Sequence, residues 1–103
     1  MAVKTVTSAS FADEVLMANV PVLVDFYADW CGPCRMLRPT LEAISEERAD
    51  VKVAAINIDE NPDLADEFGI SSIPCVILFK NGAEADRSIG LKPKDAFDAM
   101  LGG

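Results

Sequence analysis

Apolar and polar positions alternate with two different periods along the chain, and the switches between them mark its elements. Residues 21 to 28, "PVLVDFYA", form a near-continuous valine-rich run, the pattern of a central, parallel strand covered on both sides. Residues 51 to 58, "VKVAAINI", and 75 to 80, "CVILFK", predict two more buried strands. Residues 2 to 6, "AVKTV", alternate weakly and predict a short one. Helical spacing appears between these runs. In "SASFADEVL", Ser10 is a candidate cap with Asp13 three positions on, and Phe11, Val15 and Leu16 would share a face. In "RMLRPTLEAISEERA", Met36 or Leu37, Leu41 and Ile44 recur at helical intervals. Pro39 lies within that helix, where it removes one backbone hydrogen bond and should bend the axis.

"NPDLADEFGI" predicts a short helix begun by Pro62 and stopped by Gly69. Asn81-Gly82 supplies the positive backbone angles of a two-residue hairpin, so "EADRSIG" should return antiparallel to "CVILFK". "KPKDAFDAML" then pairs Phe97 with Met100 and Leu101 on a closing amphipathic helix. The order strand, helix, strand, helix, strand, helix, strand, strand, helix implies an α/β sandwich. With 103 residues, half of them apolar, and no linker or repeat, a single domain over 1–103 is expected.

Charge and cysteine usage narrow the function. Nine Lys and Arg against seventeen Asp and Glu give a net charge of −8, which argues against nucleic-acid binding and favours a soluble monomer. No run approaches the ~18 to 20 apolar residues of a membrane span, and the start lacks a secretory pattern, so a cytoplasmic location without membrane attachment is expected. Three cysteines and no histidine leave a structural zinc site short of its usual four ligands, so no metal is expected. An odd cysteine count is also unlike a secreted disulfide scaffold.

"DWCGPCR" then carries the candidate chemistry. Its C-x-x-C lies where the central strand meets a helix, the setting of a redox dithiol. Cys31 falls at the helix start, where unpaired N–H groups and the positive end of the dipole stabilise a thiolate. Cys34, one turn further in, is within reach of a disulfide and should be shielded by helix packing, so it would resolve a mixed disulfide. Pro33 presets the first helical turn, and Gly32 permits close approach of a partner chain. Asp25 is out of place in an apolar strand, because an unpaired buried charge is costly. It either reaches solvent or caps backbone at a strand end, or has a purpose in the interior.

Nearly the whole chain resembles the thioredoxin family, through "VDFYADWCGPCRM", "NIDENP", "GISSIPCVILFKNG" and "SIG". The resemblance implies a three-layer sandwich, with a five-stranded mixed sheet flanked by four helices. It also implies reduction of disulfides in client proteins through a reversible Cys31–Cys34 pair. A thioredoxin reductase would recharge the pair, with NADPH acting only through that partner and no cofactor bound. Residue by residue it makes Cys31 the attacking thiol and Cys34 the resolving thiol. Asp25 becomes the buried acid, whose pKa burial should raise and which would take the Cys34 proton. Trp30 becomes a partner-facing aromatic, otherwise a packing residue. Pro74 becomes a cis proline, with Ile73 offering its backbone to an extended substrate. Gly90 becomes a point of close approach, or simply a strand end. Three positions depart from the pattern: Tyr27 in place of tryptophan, Ala55 in place of a lysine near the buried acid, and Cys75 in place of threonine after the cis proline. Arg35 stands where lysine is frequent.

Overall fold

The computed structural model describes residues 3–102. Five strands, β1 (Val3–Thr5), β2 (Val22–Tyr27), β3 (Lys52–Asn57), β4 (Cys75–Lys80) and β5 (Ala83–Ile89), form one sheet in the order β1-β3-β2-β4-β5. β3 runs parallel to both β1 and β2, whereas β4 is antiparallel to β2 and β5. The valine-rich run is therefore central, and its two neighbours run in opposite senses. Ala2, at the start of the expected first strand, lies outside the described residues. The pairing of β1 continues one residue further, because the Val6 N–H donates to the Ala55 carbonyl at 2.9 Å.

Alternation along β2 splits the core between two layers. Val22, Val24 and Phe26 face one side with Ala54, Ile56, Ile77 and Phe79, under a short π-helix (Ala12–Leu16) and α2 (Pro62–Glu67). An edge-to-face cluster completes that side, with Phe68 and Phe79 ring centres 5.3 Å apart and Phe11 and Phe79 5.7 Å apart. Leu23 faces the other side with Val53, Val76 and Leu78. There α1 (Gly32–Glu47) brings Leu37, Leu41 and Ile44, and α3 (Lys94–Met100) brings Phe97. These are the three layers, five strands and four helices that the resemblance implies. Of the two alternatives at the start of α1, Leu37 is buried and Met36 is exposed. The helix runs through Pro39 without interruption.

The first helix departs from its expected form. The Ser10 hydroxyl accepts from the Thr7 N–H at 3.0 Å and makes no cap hydrogen bond into the helix. The Met17 N–H then reaches back five residues, to the Ala12 carbonyl. Lys52 Nζ takes the Glu14 carbonyl at 2.7 Å, so that acceptor is satisfied from outside the helix. With the turn widened, Phe11 and Val15 remain buried, but Leu16 lies 37% exposed and off their face.

At the far end, Asn81 and Gly82 have φ of 54° and 81°, the left-handed pair of a tight hairpin. The β4–β5 register slips at Leu78/Phe79, so edge strand β5 carries a bulge together with Glu84, Asp86 and Arg87, features that discourage pairing with another chain. A Cβ on Gly82 would lie 3.1 Å from the Leu16 carbonyl oxygen while holding a left-handed angle. Gly82→Ala is therefore expected to cost about 1 to 2 kcal/mol, read as a lowered urea midpoint. An unchanged midpoint would show that the turn relaxes freely.

Candidate functional site

The site forms where β2 ends and α1 begins. Cys31 is the N-cap of α1, with extended backbone angles (φ −93°, ψ 109°), and its side chain accepts the Cys34 N–H at 3.2 Å. A sulfur thus occupies the place that serine or aspartate takes in an ordinary cap. Gly32 and Pro33 are the first two helical residues, and proline loses nothing there because the first turn has no internal acceptor for its N–H. Cys31 and Cys34 are joined as a disulfide, with Cα atoms 5.3 Å apart. Exposure does not separate them, at 5% for Cys31 and 4% for Cys34. The expected shielding of Cys34 alone is therefore not what distinguishes the pair. The difference lies in the hydrogen bond: the sulfur of Cys31 has a backbone donor aimed at it.

Three segments surround the pair. Trp30 is 67% exposed, and its indole N–H donates to Asp59 Oδ2 at 2.8 Å, which fixes the ring outside the core. The Ile73-Pro74 bond is cis, Pro74 is buried, and the Ile73 carbonyl oxygen lies 3.9 Å from Cys31 Sγ. Gly90, at φ 94°, donates its N–H to the Pro74 carbonyl at 2.8 Å, tying the end of β5 to the proline segment. A Cβ at Gly90 would meet nothing within 4 Å. The glycine therefore serves the backbone angle and leaves the space above it open.

Asp25 lies on the α1 side of the sheet, fully buried, between Ala55 of β3 and Val76 of β4. It neither reaches solvent nor caps backbone, so the strand-end alternative is excluded. Neither carboxyl oxygen has a hydrogen-bond partner. Burial pushes its pKa from the ordinary 3.8 up to about 7, against a smaller opposing pull from Arg38. Arg38 Nη2 stands 4.0 Å from Asp25 Oδ2, with its guanidinium 4.9 Å from the centre of the Tyr27 ring. Arg38 was not singled out by sequence reasoning, although its place four residues after Cys34 puts both on one helical face. Asp59, the acceptor for Trp30, was also missed. A 380 Å³ cleft lies beside the disulfide, lined by Tyr27, Ala28, Asp29, Cys34, Arg35 and Arg38. Arg35 donates to the Asp29 carbonyl at 2.6 Å and so braces the loop before Trp30.

Cys75, although adjacent in sequence to Pro74, packs in the opposite core layer with Phe26, Ile77 and Phe79. The buried cluster around the dithiol is instead formed with Ala28. Burial raises the Cys75 pKa, which disfavours its reactive thiolate.

A family model described as Thioredoxin matches residues 2–102 of the chain. Among curated proteins, the chain is 54% identical to a thioredoxin of Rickettsia felis over 92 residues, 88% of each chain. It is 50% identical to a thioredoxin of Porphyra purpurea over 102 residues, 98% of this chain and 95% of the relative. It is also 50% identical to one of Alicyclobacillus acidocaldarius over 101 residues, 97% of this chain and 95% of the relative.

Well below pH 3.8 Asp25 is protonated in both folded and unfolded states, and its burial has no electrostatic cost. As pH rises the unfolded chain ionises first, so native stability falls between about pH 4 and about pH 7 and then levels off. The full loss is about 4 kcal/mol. The stability of oxidised Asp25→Asn relative to the native protein should therefore rise by about that amount from pH 4 to pH 8, measured by urea unfolding. A difference that is flat in pH would contradict the raised pKa. Cys75→Thr should keep disulfide-reduction turnover within about twofold, roughly 0.4 kcal/mol in barrier, and peroxide should modify Cys31 before Cys75. Mass spectrometry showing Cys75 as the main oxidised site would refute this.

Proposed function

The chain belongs to the thioredoxin family and is a thiol–disulfide oxidoreductase, and from that premise we propose that it reduces disulfides in client proteins and is recharged by a thioredoxin reductase. The reading is carried by one observation: a cysteine caps α1, receives the N–H of the residue three places on, and is paired with that same residue. A thiolate formed at Cys31 in the reduced protein would keep this donor and gain the helix dipole, both of which favour the charged form.

The reaction has two exchanges. In the first, the Cys31 thiolate attacks a client sulfur. A Cys31–client disulfide forms, the client disulfide breaks, and the released client thiolate takes a proton from solvent. In the second, Cys34 loses its proton to the Asp25 carboxylate and attacks Cys31 Sγ. The Cys31–Cys34 bond forms, the Cys31–client bond breaks, and the second client thiolate takes a proton from solvent, so the client leaves with two thiols. Two electrons have passed from the protein to the client. The reductase returns them from NADPH, and this chain itself holds no cofactor or metal.

An extended client segment is received by Trp30, Gly32, Pro33, Ile73, Pro74 and Gly90. Ile73 offers its backbone in the manner of strand addition. Trp30 and the half-exposed Ile89 supply apolar surface on either side. We place the protein in the cytoplasm, where a reductase can supply electrons, acting as a monomer whose net charge of −8 opposes self-association. No helix among the described residues is long and apolar enough to cross a membrane.

The order of attack is tested by trapping. Cys34→Ser should accumulate mixed disulfides through Cys31, whereas Cys31→Ser should trap little, with both turning over poorly in NADPH-coupled insulin reduction. Clients held mainly through Cys34 would reverse the two roles.

A further inference from the structure

Asp25 must be ionised to accept a proton, yet it sits where burial opposes ionisation. The groups facing it show what offsets that. Strand β3 presents Ala55 in register beside it, and β4 presents Val76, neither of which carries charge. Cys75, next to Val76, packs in the other layer. From α3 the residues packed on this side are the apolar Phe97 and Met100. On β2 itself Tyr27 lies beneath the Arg38 guanidinium. The cation that bears on Asp25 comes from α1: Arg38, with Nη2 4.0 Å from Oδ2. Its Nε is buried without a partner, and its side chain is about one-third exposed, at 34%. The same guanidinium lines the cleft that contains Cys34. It therefore borders both the buried carboxyl and the cleft in which Cys34 lies.

We infer that Arg38 is a positioning residue for the resolving step, its guanidinium holding Asp25 ionised and beside Cys34 in place of a cation on β3, where this chain has Ala55. The inference rests on the reading of Asp25 as proton acceptor. The π-face of Tyr27 attracts the guanidinium and limits its swing into solvent. A lysine has no planar face to lay on that ring and is more strongly hydrated, so it would hold the place less well.

The test uses the full reduced chain in three forms: native, Arg38→Met and Arg38→Lys. Carbon NMR follows the titration of the Asp25 carboxyl. Stopped-flow reaction with dipyridyl disulfide, a neutral probe, releases one thiopyridone on attack by Cys31 and a second on resolution by Cys34. Arg38→Met should raise the carboxyl midpoint by about one pH unit or more. The second release should then slow about fivefold at pH 7 and regain the native rate near pH 9, with the first release little changed. Arg38→Lys should fall between the two. A carboxyl titration unmoved in Arg38→Met would overturn the inference, and so would a rate lowered equally at every pH, the mark of a purely structural role. A titration that moves while resolution does not would also overturn it. Asp25→Asn resolving at the native rate would then show that the fault lies in the reading of Asp25 as the base.

Discussion

The hydrogen bond from the Cys34 N–H to the Cys31 sulfur joins the fold to its chemistry. It exists because the helix must satisfy its first N–H groups and the residue at the cap position happens to carry a sulfur. A hydrogen bond to a charged group is worth about 1.5 to 3 kcal/mol, and it acts here on whichever form of the sulfur carries charge. The cap stays in place only if both the strand before it and the helix after it are immobile. β2 is held between β3 and β4, and α1 is fastened to the sheet through Leu37, Leu41 and Ile44. The rigidity of the dithiol is thus supplied by residues that take no part in the exchange.

Asp25 shows the opposite use of the same core. Its burial is unfavourable at neutral pH, and the layer that surrounds it contributes Leu23, Val53 and Val76, which cannot solvate it. Such a residue is tolerated because strand pairing and two apolar layers exceed its cost. A carboxyl with a pKa of about 7 is then poised between its two forms at neutral pH, which is what the proposed role of proton acceptor requires. The stability lost and the reactivity proposed for Asp25 have one cause, the removal of water.

The surroundings of the dithiol are assembled from distant parts of the chain by a few polar ties. Asp59 anchors the Trp30 indole, Arg35 braces the Asp29 carbonyl, and the Pro74 carbonyl accepts from Gly90. Each leaves apolar or backbone surface facing outward beside the sulfur atoms. Cys75, placed one residue from this surface, is turned away by strand alternation into the opposite layer. Proximity in sequence to the site therefore does not give it access to the chemistry.

Much of this was legible locally. The valine-rich run, the strand "CVILFK" and the Asn81-Gly82 turn declare themselves through period-two patterning and a left-handed dipeptide, which depend on neighbours a few residues away. The position of Cys31 at a strand-to-helix junction is legible for the same reason, and so is the anomaly of an aspartate in an apolar strand. Tertiary structure decided what depends on residues far apart in sequence. β3 lies between β1 and β2, and the Lys52 ammonium takes the Glu14 carbonyl in a widened helix that Ser10 was expected to cap. Leu37 rather than Met36 faces the core, because only the sheet beneath α1 fixes the rotation of that helix. Arg38 meets Asp25 by the same logic: they are thirteen residues apart on different elements, and a long-range electrostatic contact leaves no periodic signature in the chain.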